Sequence, residues 1–422
     1  MKEDLISYAK NPIIITSILL CIFFYTGIIK LPQEDIYYFN FENVTSISGF
    51  IDSNPVKKTN GYYKCKIKLE SARGILDKKE IDSSAYGKIT AWIPQEIVEA
   101  NYPGKLYTLS NYSNAIIEKN ERVKITGKIY KNIFLAIDVE CLEKEKSFIN
   151  SIYSLRTKTR LAFKRLMYSW GKAGGLVLSL LCGTSEYIEE GINEKFRLAG
   201  LSHILALSGM HLSFFTGIFT FLAKKTFGKK YSFIFNITGI SLFVFLVGFT
   251  PSLFRSFLFT LIVQFSYLLK LRNIKLLPVL SFVFLLHSIF IPTDVFTVSF
   301  MLSYAALAGI LLFADLHKLY LIRIMPEKIS SDLSASMGAL TTTVPISACV
   351  FGQIMPVSLI SSLAISPLIS FFMTSAFGGI ILCLIMPFLA KPFGCIMNLI
   401  YGGITFLVKL FALFPPVTLG SL

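Results

Sequence analysis

Residues 201–211 read LSHILALSGMH: two histidines, two serines and a glycine inside a stretch otherwise apolar enough for the interior of a membrane. The surroundings decide how to read it. From Ala173 onward the chain is mostly apolar, and over all 422 residues 53% are hydrophobic while only 16% are charged. An ordinary soluble domain is about a quarter charged, so the stretch belongs to a polytopic helical membrane protein. The formal net charge of +15 suits anionic headgroups, a polyanionic substrate or the cytoplasmic bias of Lys and Arg, and charge alone does not choose among them.

Basic clusters set a topology around the quoted stretch. Lys224, Lys225, Lys229 and Lys230 follow one apolar span, Lys270, Arg272 and Lys275 follow a pair, and Lys318, Arg323 and Lys328 follow another pair. Placing all three in the cytoplasm is self-consistent. The links GFTPS and IPTD then lie outside, together with the start of LSHILALSGMH. Later spans are broken or bounded by Pro345, Pro356, Pro367, Pro387, Pro392, Pro415 and Pro416; discontinuous helices are tolerated at membrane depth inside protein or around a wet cavity, while any single proline is also explained by its being commoner in membrane helices than in soluble ones.

Toward the N-terminus the pattern changes. Residues 148–200 form an interfacial region that begins with SIYSLRTKTRLAFKRLMYSW. There Arg156, Lys158, Arg160, Lys164 and Arg165 alternate with apolar residues, predicting a basic amphipathic helix whose cations meet lipid headgroups or the phosphates of a passing polymer. Residues 31–147 carry period-two stretches such as GKITAWIP and ERVKITGKIY between turn signals, which predicts about five strands and a small OB-like β-barrel. Cys65 and Cys141 fall in this region and are a disulfide candidate if it faces an oxidising compartment. Pro12–Ile29 is about long enough to cross a bilayer and predicts a transmembrane helix within residues 1–30. Residues 201–422 form the multi-helix domain. The expected fold is thus a polytopic α-helical membrane protein with an N-terminal transmembrane helix and an inserted extracytoplasmic β-barrel.

Three readings compete for the polar groups. On one helix His203 and His211 lie roughly 12 Å apart along the axis and about 80° around it, too far to share a metal unless the chain breaks, and no zinc-type spacing occurs elsewhere. No metal and no cofactor is expected. Ser208 and His211 share a helix face, which raises an intramembrane serine hydrolase or protease, although a base three residues on points alongside the hydroxyl and not at it. The third reading makes Ser202, His203, Ser208, His211 and Ser213 interhelical bonds or the lining of a watery groove, in a DNA channel or in a transporter of another substrate. Arg197 before the stretch and Arg255 in TPSLFRSFLF need an anionic partner or water near a membrane. For Arg255 a structural partner is Asp294 in IPTD, and a substrate is the alternative.

KFRLAGLSHILALSGMHLSFFTG resembles the signature of the ComEC-type DNA internalisation channel family, through Phe196, Ala199, Gly200, His203, Leu207, Ser208, Gly209, Met210 and His211. TPSLFRSFLF is similar to its proline-serine-x-x-arginine step, with Pro251, Ser252 and Arg255. VSFMLSYAALAGILLF, with Ser299, Phe300, Leu302 and Ser303, resembles its phenylalanine-x-leucine-serine helix. Thr184 stands where the family usually has an aspartate, and Ser362 where it has an asparagine. The resemblance implies an OB-like external domain and an inner-membrane channel passing single-stranded DNA to the cytoplasm in natural transformation. It implies a DNA path along Arg197, His203, Ser208, Gly209, His211, Arg255, Ser299 and Ser303. Many members continue into a metallo-β-lactamase-like domain with an HxHxDH run, which this sequence lacks; a short form of this kind would be no nuclease itself. The expected partners are single-stranded DNA, membrane lipid, a separate nuclease, a DNA-receptor protein, a cytoplasmic ATP-driven motor and further copies of the chain.

Overall fold

A computed structural model describes residues 8, 10–29, 37–38, 43–58, 60–76, 79–99, 117–130, 133–143, 147–184, 187–189, 191–205, 209–226, 228–271 and 274–418. Helix α1 (Pro12–Tyr25) starts on Asn11, whose side chain accepts from the Ile13 amide, with Pro12 in the first turn. Its 14 residues rise only about 21 Å, short of the span expected to run to Ile29, and a left-handed Gly27 at φ 75° follows it.

The β region is a closed barrel. Its strands are β1 (Tyr37–Tyr38), β2 (Asn43–Ile51), β3 (Val56–Lys57), β4 (Tyr62–Leu76), β5 (Lys79–Ser84), β6 (Tyr86–Pro94), β7 (Arg122–Tyr130) and β8 (Ile133–Cys141). Strand β2 pairs with β4 and β7, β4 with β6, and β8 with both β6 and β7, all antiparallel except β6 with β8. This closed order, with the short helix α2 (Gln95–Glu99) between β6 and β7, is that of an OB barrel. Alternation does the sorting: Tyr63, Cys65, Ile67 and Leu69 of β4 and Ile89, Ala91 and Ile93 of β6 fill the interior, while their neighbours face out. Gly49 and Gly127 sit at register shifts, where a side chain would strike the carbonyls of Lys68 and Leu135; such bulges let a small sheet coil on itself.

The proposed bond between Cys65 and Cys141 is absent. Cys65 lies opposite Ala91 in the barrel interior with a free thiol, whereas Cys141 is exposed at the end of β8 opposite Val123. Burial pushes the Cys65 thiol up to about 12, so it packs as a small hydrophobe.

The helical part follows as α3 (Phe148–Ser169), α4 (Lys172–Cys182), α5 (Ile192–Leu198), α6 (Ser202–Leu205), α7 (Gly209–Thr226), α8 (Gly228–Val247), α9 (Pro251–Leu268), α10 (Leu276–Phe290), α11 (Val298–Leu321), α12 (Glu327–Phe351), α13 (Ser358–Ile385) and α14 (Ala390–Phe411). By length and composition α11, α12, α13 and α14, the last counted from Pro387, are able to cross a membrane. Shorter apolar helices include α1, α4, α10 and the Ser232–Val247 part of α8. The chain is a helical membrane protein with a β-barrel near its N-terminus.

Prolines break the late spans less than expected. Helix α12 runs through Pro345 and α13 through Pro367, and interruptions fall instead around Pro356 and at Pro387. Hydroxyls near Pro345 bond back to the helix, Thr341 to the Met337 carbonyl and Thr343 to that of Ala339. Helices α11 and α12 approach closely because Gly309 faces the Gly338 carbonyl and Thr342, whose hydroxyl donates to the Ala305 carbonyl at 2.7 Å. Small residues and interhelical hydroxyl bonds are the usual adhesive between membrane helices.

Candidate nucleic-acid interface and buried polar cluster

One surface, one clasp and one buried cluster carry the polar chemistry. The surface is the outer face of β4 and β6. Lys64, Lys66 and Lys68 alternate outward along β4, opposite Trp92, Thr90 and Lys88 of β6. The Tyr62 ring lies 6.1 Å from that of Trp92. Lys88 is held by Asp52 at 2.9 Å, and Arg122 nearby by Glu70 at 2.8 Å; Lys64 and Lys68 are exposed and make no ion pair among the described residues. Two adjacent aromatic rings bordered by uncompensated cations match what single-stranded nucleic acid needs: planes for bases and charge for phosphates. In OB barrels this strand pair is the usual oligonucleotide face.

The clasp revises the reading of the basic helix. Arg156, Arg160 and Lys164 recur every four residues on α3 and are all buried, leaving only Lys158 and Arg165 of the five exposed. Arg160 Nε donates to Glu118 at 3.0 Å and Lys164 Nζ meets its other oxygen at 2.6 Å. Arg160 Nη1 also donates to the carbonyls of Leu246 and Val247, and Arg156 Nε to that of Phe245. These three carbonyls end α8, where a cation is favoured by the helix dipole and by unsatisfied acceptors. The stripe therefore fastens the barrel segment at Glu118 to the end of a bundle helix. It does not present its charges to a headgroup or a strand. Burial alone would raise the Glu118 carboxyl, but Lys164 and Arg160 more than offset it and hold it at about 2. Thr157 adds a bond to Glu121 at 2.7 Å. Four apolar residues at the start of α3 are exposed: Phe148, Ile149, Ile152 and Leu155.

The buried cluster lies among α7, α9, α10 and α11. Arg255, 8% exposed, donates through Nη1 to the Ser303 carbonyl at 2.8 Å and through Nη2 to Ser256 Oγ at 3.0 Å. Ser256 Oγ donates onward to the Ser252 carbonyl at 2.9 Å. The guanidinium carbon lies 6.0 Å from the Tyr304 ring centre. A Cβ on Gly209 would lie 3.2 Å from Arg255 Nη2 and 3.0 Å from Ser256 Oγ, so glycine lets the guanidinium and the Ser256 hydroxyl approach the start of α7 closely. The expected partner Asp294 is engaged elsewhere: its Oδ2 lies 3.1 Å from His287 Nε2, and no carboxylate faces Arg255 among the described residues.

Of the residues singled out in the sequence, this cluster assembles Gly209, Arg255 and Ser303, the last through its carbonyl. His211 is buried in α7 while His203 is exposed on α6. Arg197 is exposed and faces Glu194 at 3.8 Å, and Ser299 is exposed. Ser208 and Arg272 lie outside the described residues. Ser361, next to Ser362, buries its hydroxyl against the Ala199 carbonyl at 2.6 Å, and Gly200 at φ 72° packs on Ser358. The late segment is thereby joined to the alanine-glycine pair. Thr184 closes the end of α4, its hydroxyl 3.4 Å from the Leu178 carbonyl. Glu118, His287 and Tyr304 escaped the sequence reading. Only His287, a lone imidazole in LLHSIF seven residues before an aspartate, left a visible signal.

Fold and sites define a helical membrane protein that carries an OB barrel near its N-terminus. The chain belongs to the competence protein family: the model described as "Competence protein" matches residues 180–421. It is similar to "ComE operon protein 3" of Bacillus subtilis (strain 168), 29% identical over 140 residues, which take in 33% of this chain and 18% of the relative. It is also 27% identical over 318 residues to an uncharacterized protein of Aquifex aeolicus (strain VF5), covering 72% of this chain and 70% of that one. No solved structure matches the chain.

Proposed function

We propose that this protein is a channel of the inner membrane that passes single-stranded DNA into the cytoplasm during natural transformation. The observation that carries the reading is the pairing of Tyr62 and Trp92 with the exposed Lys64 and Lys68 on the OB barrel of a competence-family membrane protein. The barrel lies on the extracytoplasmic side and takes up the strand by stacking and phosphate attraction, both indifferent to sequence. The strand then follows the bundle past Arg197, His203, Ser208, Gly209, His211, Arg255, Ser299 and Ser303. Within the bundle single contacts stay weak, because conduction needs sites a phosphate can leave.

The chain acts as a conduit and not as a hydrolase in this reading. A separate nuclease supplies the single strand, a DNA-receptor protein delivers it, and a cytoplasmic ATP-driven motor or the membrane gradient draws it in; several copies of the chain share the membrane site. A deletion strain assayed separately for surface-bound and internalised DNA tests the proposal. Loss of entry with binding retained is the expected result, and entry at the normal rate would sink it. Labelling of Ser208 by a fluorophosphonate would favour the hydrolase reading instead.

A further inference from the structure

We infer that Asp294, His287 and Tyr304 form a proton-binding site within the helical bundle, reached from the turn that carries Asp294. His287 is fully buried in α10, with the rings of Phe254 and Phe300 each 4.8 Å from its own. Such a ring has no water of its own, yet both nitrogens are partnered: Nε2 by Asp294 Oδ2 at 3.1 Å and Nδ1 by Tyr304 Oη at 3.2 Å. Asp294, on the 3-10 turn Pro292–Phe296, keeps its side chain 20% exposed, which joins the buried ring to the medium.

The arrangement satisfies both protonation states of the imidazole. In the neutral ring Nε2–H donates to Asp294, and the Tyr304 hydroxyl donates to Nδ1. When a proton is added, Nδ1–H donates to the Tyr304 oxygen, and the hydroxyl turns to the Val283 carbonyl, 3.4 Å away. A histidine kept only for packing needs no second acceptor behind its tyrosine, because a buried polar group costs free energy only where a partner is missing. Here neither state loses one.

The turn is held in place for this contact. Phe24 and Tyr25 of α1 pack edge-on against Phe296, and the Tyr25 hydroxyl donates to the Val295 carbonyl at 2.9 Å. The titratable groups facing the site are Arg255 from α9, Tyr304 from α11 and Asp294 from the turn, with Tyr25 of α1 bonded to that turn at Val295. Asp294 and Arg255 sum to zero with the ring neutral; a bound proton leaves the cluster at +1 beside the guanidinium. Proton occupancy thus sets the charge next to Arg255, whatever ion or polymer passes there. The inference does not depend on the DNA reading.

The test is a pH titration of the full-length protein in phosphatidylcholine nanodiscs with isotope-labelled histidine, read by ring-carbon and ring-nitrogen shifts. Only His203, His211, His287 and His317 contribute, and His287→Gln assigns the signal; if that variant fails to fold, His203→Gln and His317→Gln narrow the assignment. The His287 resonances should report proton uptake as the medium is acidified. Asp294→Asn should diminish that response, because the carboxylate that attracts the proton is gone. Tyr304→Phe should change the nitrogen shifts that report the tautomer. Unchanged shifts of the other histidines show that each variant has kept its fold. A His287 signal that stays flat on acidification, or one that responds alike in Asp294→Asn, overturns the inference.

Discussion

Two sets of cations lie within one small region of this protein and have opposite fates. On the barrel, Lys64 and Lys68 stand in solvent beside Tyr62 and Trp92. On α3, Arg156, Arg160 and Lys164 are turned inward onto Glu118 and the last carbonyls of α8. A count of Lys and Arg ranks the helix as the more attractive place for a polyanion. The geometry reverses that ranking, because a cation that already has a buried acceptor has no field left to offer. What matters for recognition is charge not yet compensated, placed next to something a base can lie on.

The largest expected effect comes from breaking the buried set. Glu118→Ala leaves Arg160 and Lys164 buried without their carboxylate, a change that costs roughly 3 to 5 kcal/mol. Limited proteolysis after Leu142 and hydrogen exchange in α3 should both accelerate strongly, while the bundle helices stay protected. Acid should act in the same direction over a defined window. The Glu118 carboxyl is held down near 2 against an ordinary 4.5, so its contribution is fully present above pH 4.5 and is lost as pH falls toward 2. A barrel that detaches already near neutral pH would show that Glu118 is not what holds it.

The comparison also shows where sequence runs out. Period-two alternation in GKITAWIP and ERVKITGKIY announced the barrel because a half-buried strand must alternate, and the apolar runs announced the bundle. The direction of the α3 cations was not legible, since their acceptor lies in a segment with no pattern of its own, 42 residues before Arg160. A helix whose Phe148, Ile149, Ile152 and Leu155 face outward has the same helical wheel as one whose charges do. Pro345 and Pro367 could not be sorted from Pro356 and Pro387 for a related reason: whether a proline ends a membrane helix or lies within it depends on its neighbours in the fold. In the bundle, TPSLFR marked Arg255, yet its contacts with Ser303 and Gly209 join segments that only the fold brings together.

The exposed set is probed by smaller changes. Trp92→Ala removes one stacking plane, worth about 1 to 3 kcal/mol for a bound base, so affinity for an oligothymidine at low salt should fall between about fivefold and about a hundredfold. Tyr62→Ala should follow in the same sense. Lys64→Gln with Lys68→Gln should act on the salt dependence more than on affinity at one condition. Each phosphate contact adds about 0.7 to the slope of log affinity against log salt for single strands, so the slope should become shallower by about 1.4. Unaltered slope with lowered affinity would mean that these lysines shape the face without meeting phosphates.

The smallest effect is expected at Lys158 and Arg165, the cations that α3 does expose. Among the described residues neither is paired with an aromatic ring, and charge without stacking gives only loose, salt-sensitive attraction. Lys158→Gln with Arg165→Gln should lower oligothymidine affinity by less than about twofold and leave the Trp92 effect intact. A loss as large as that of Trp92→Ala would join helix and barrel into one binding surface. Which side of α3 a cation occupies, strand-facing or bundle-facing, would then matter more than whether it is compensated, with Arg156, Arg160 and Lys164 serving chiefly to aim the other two.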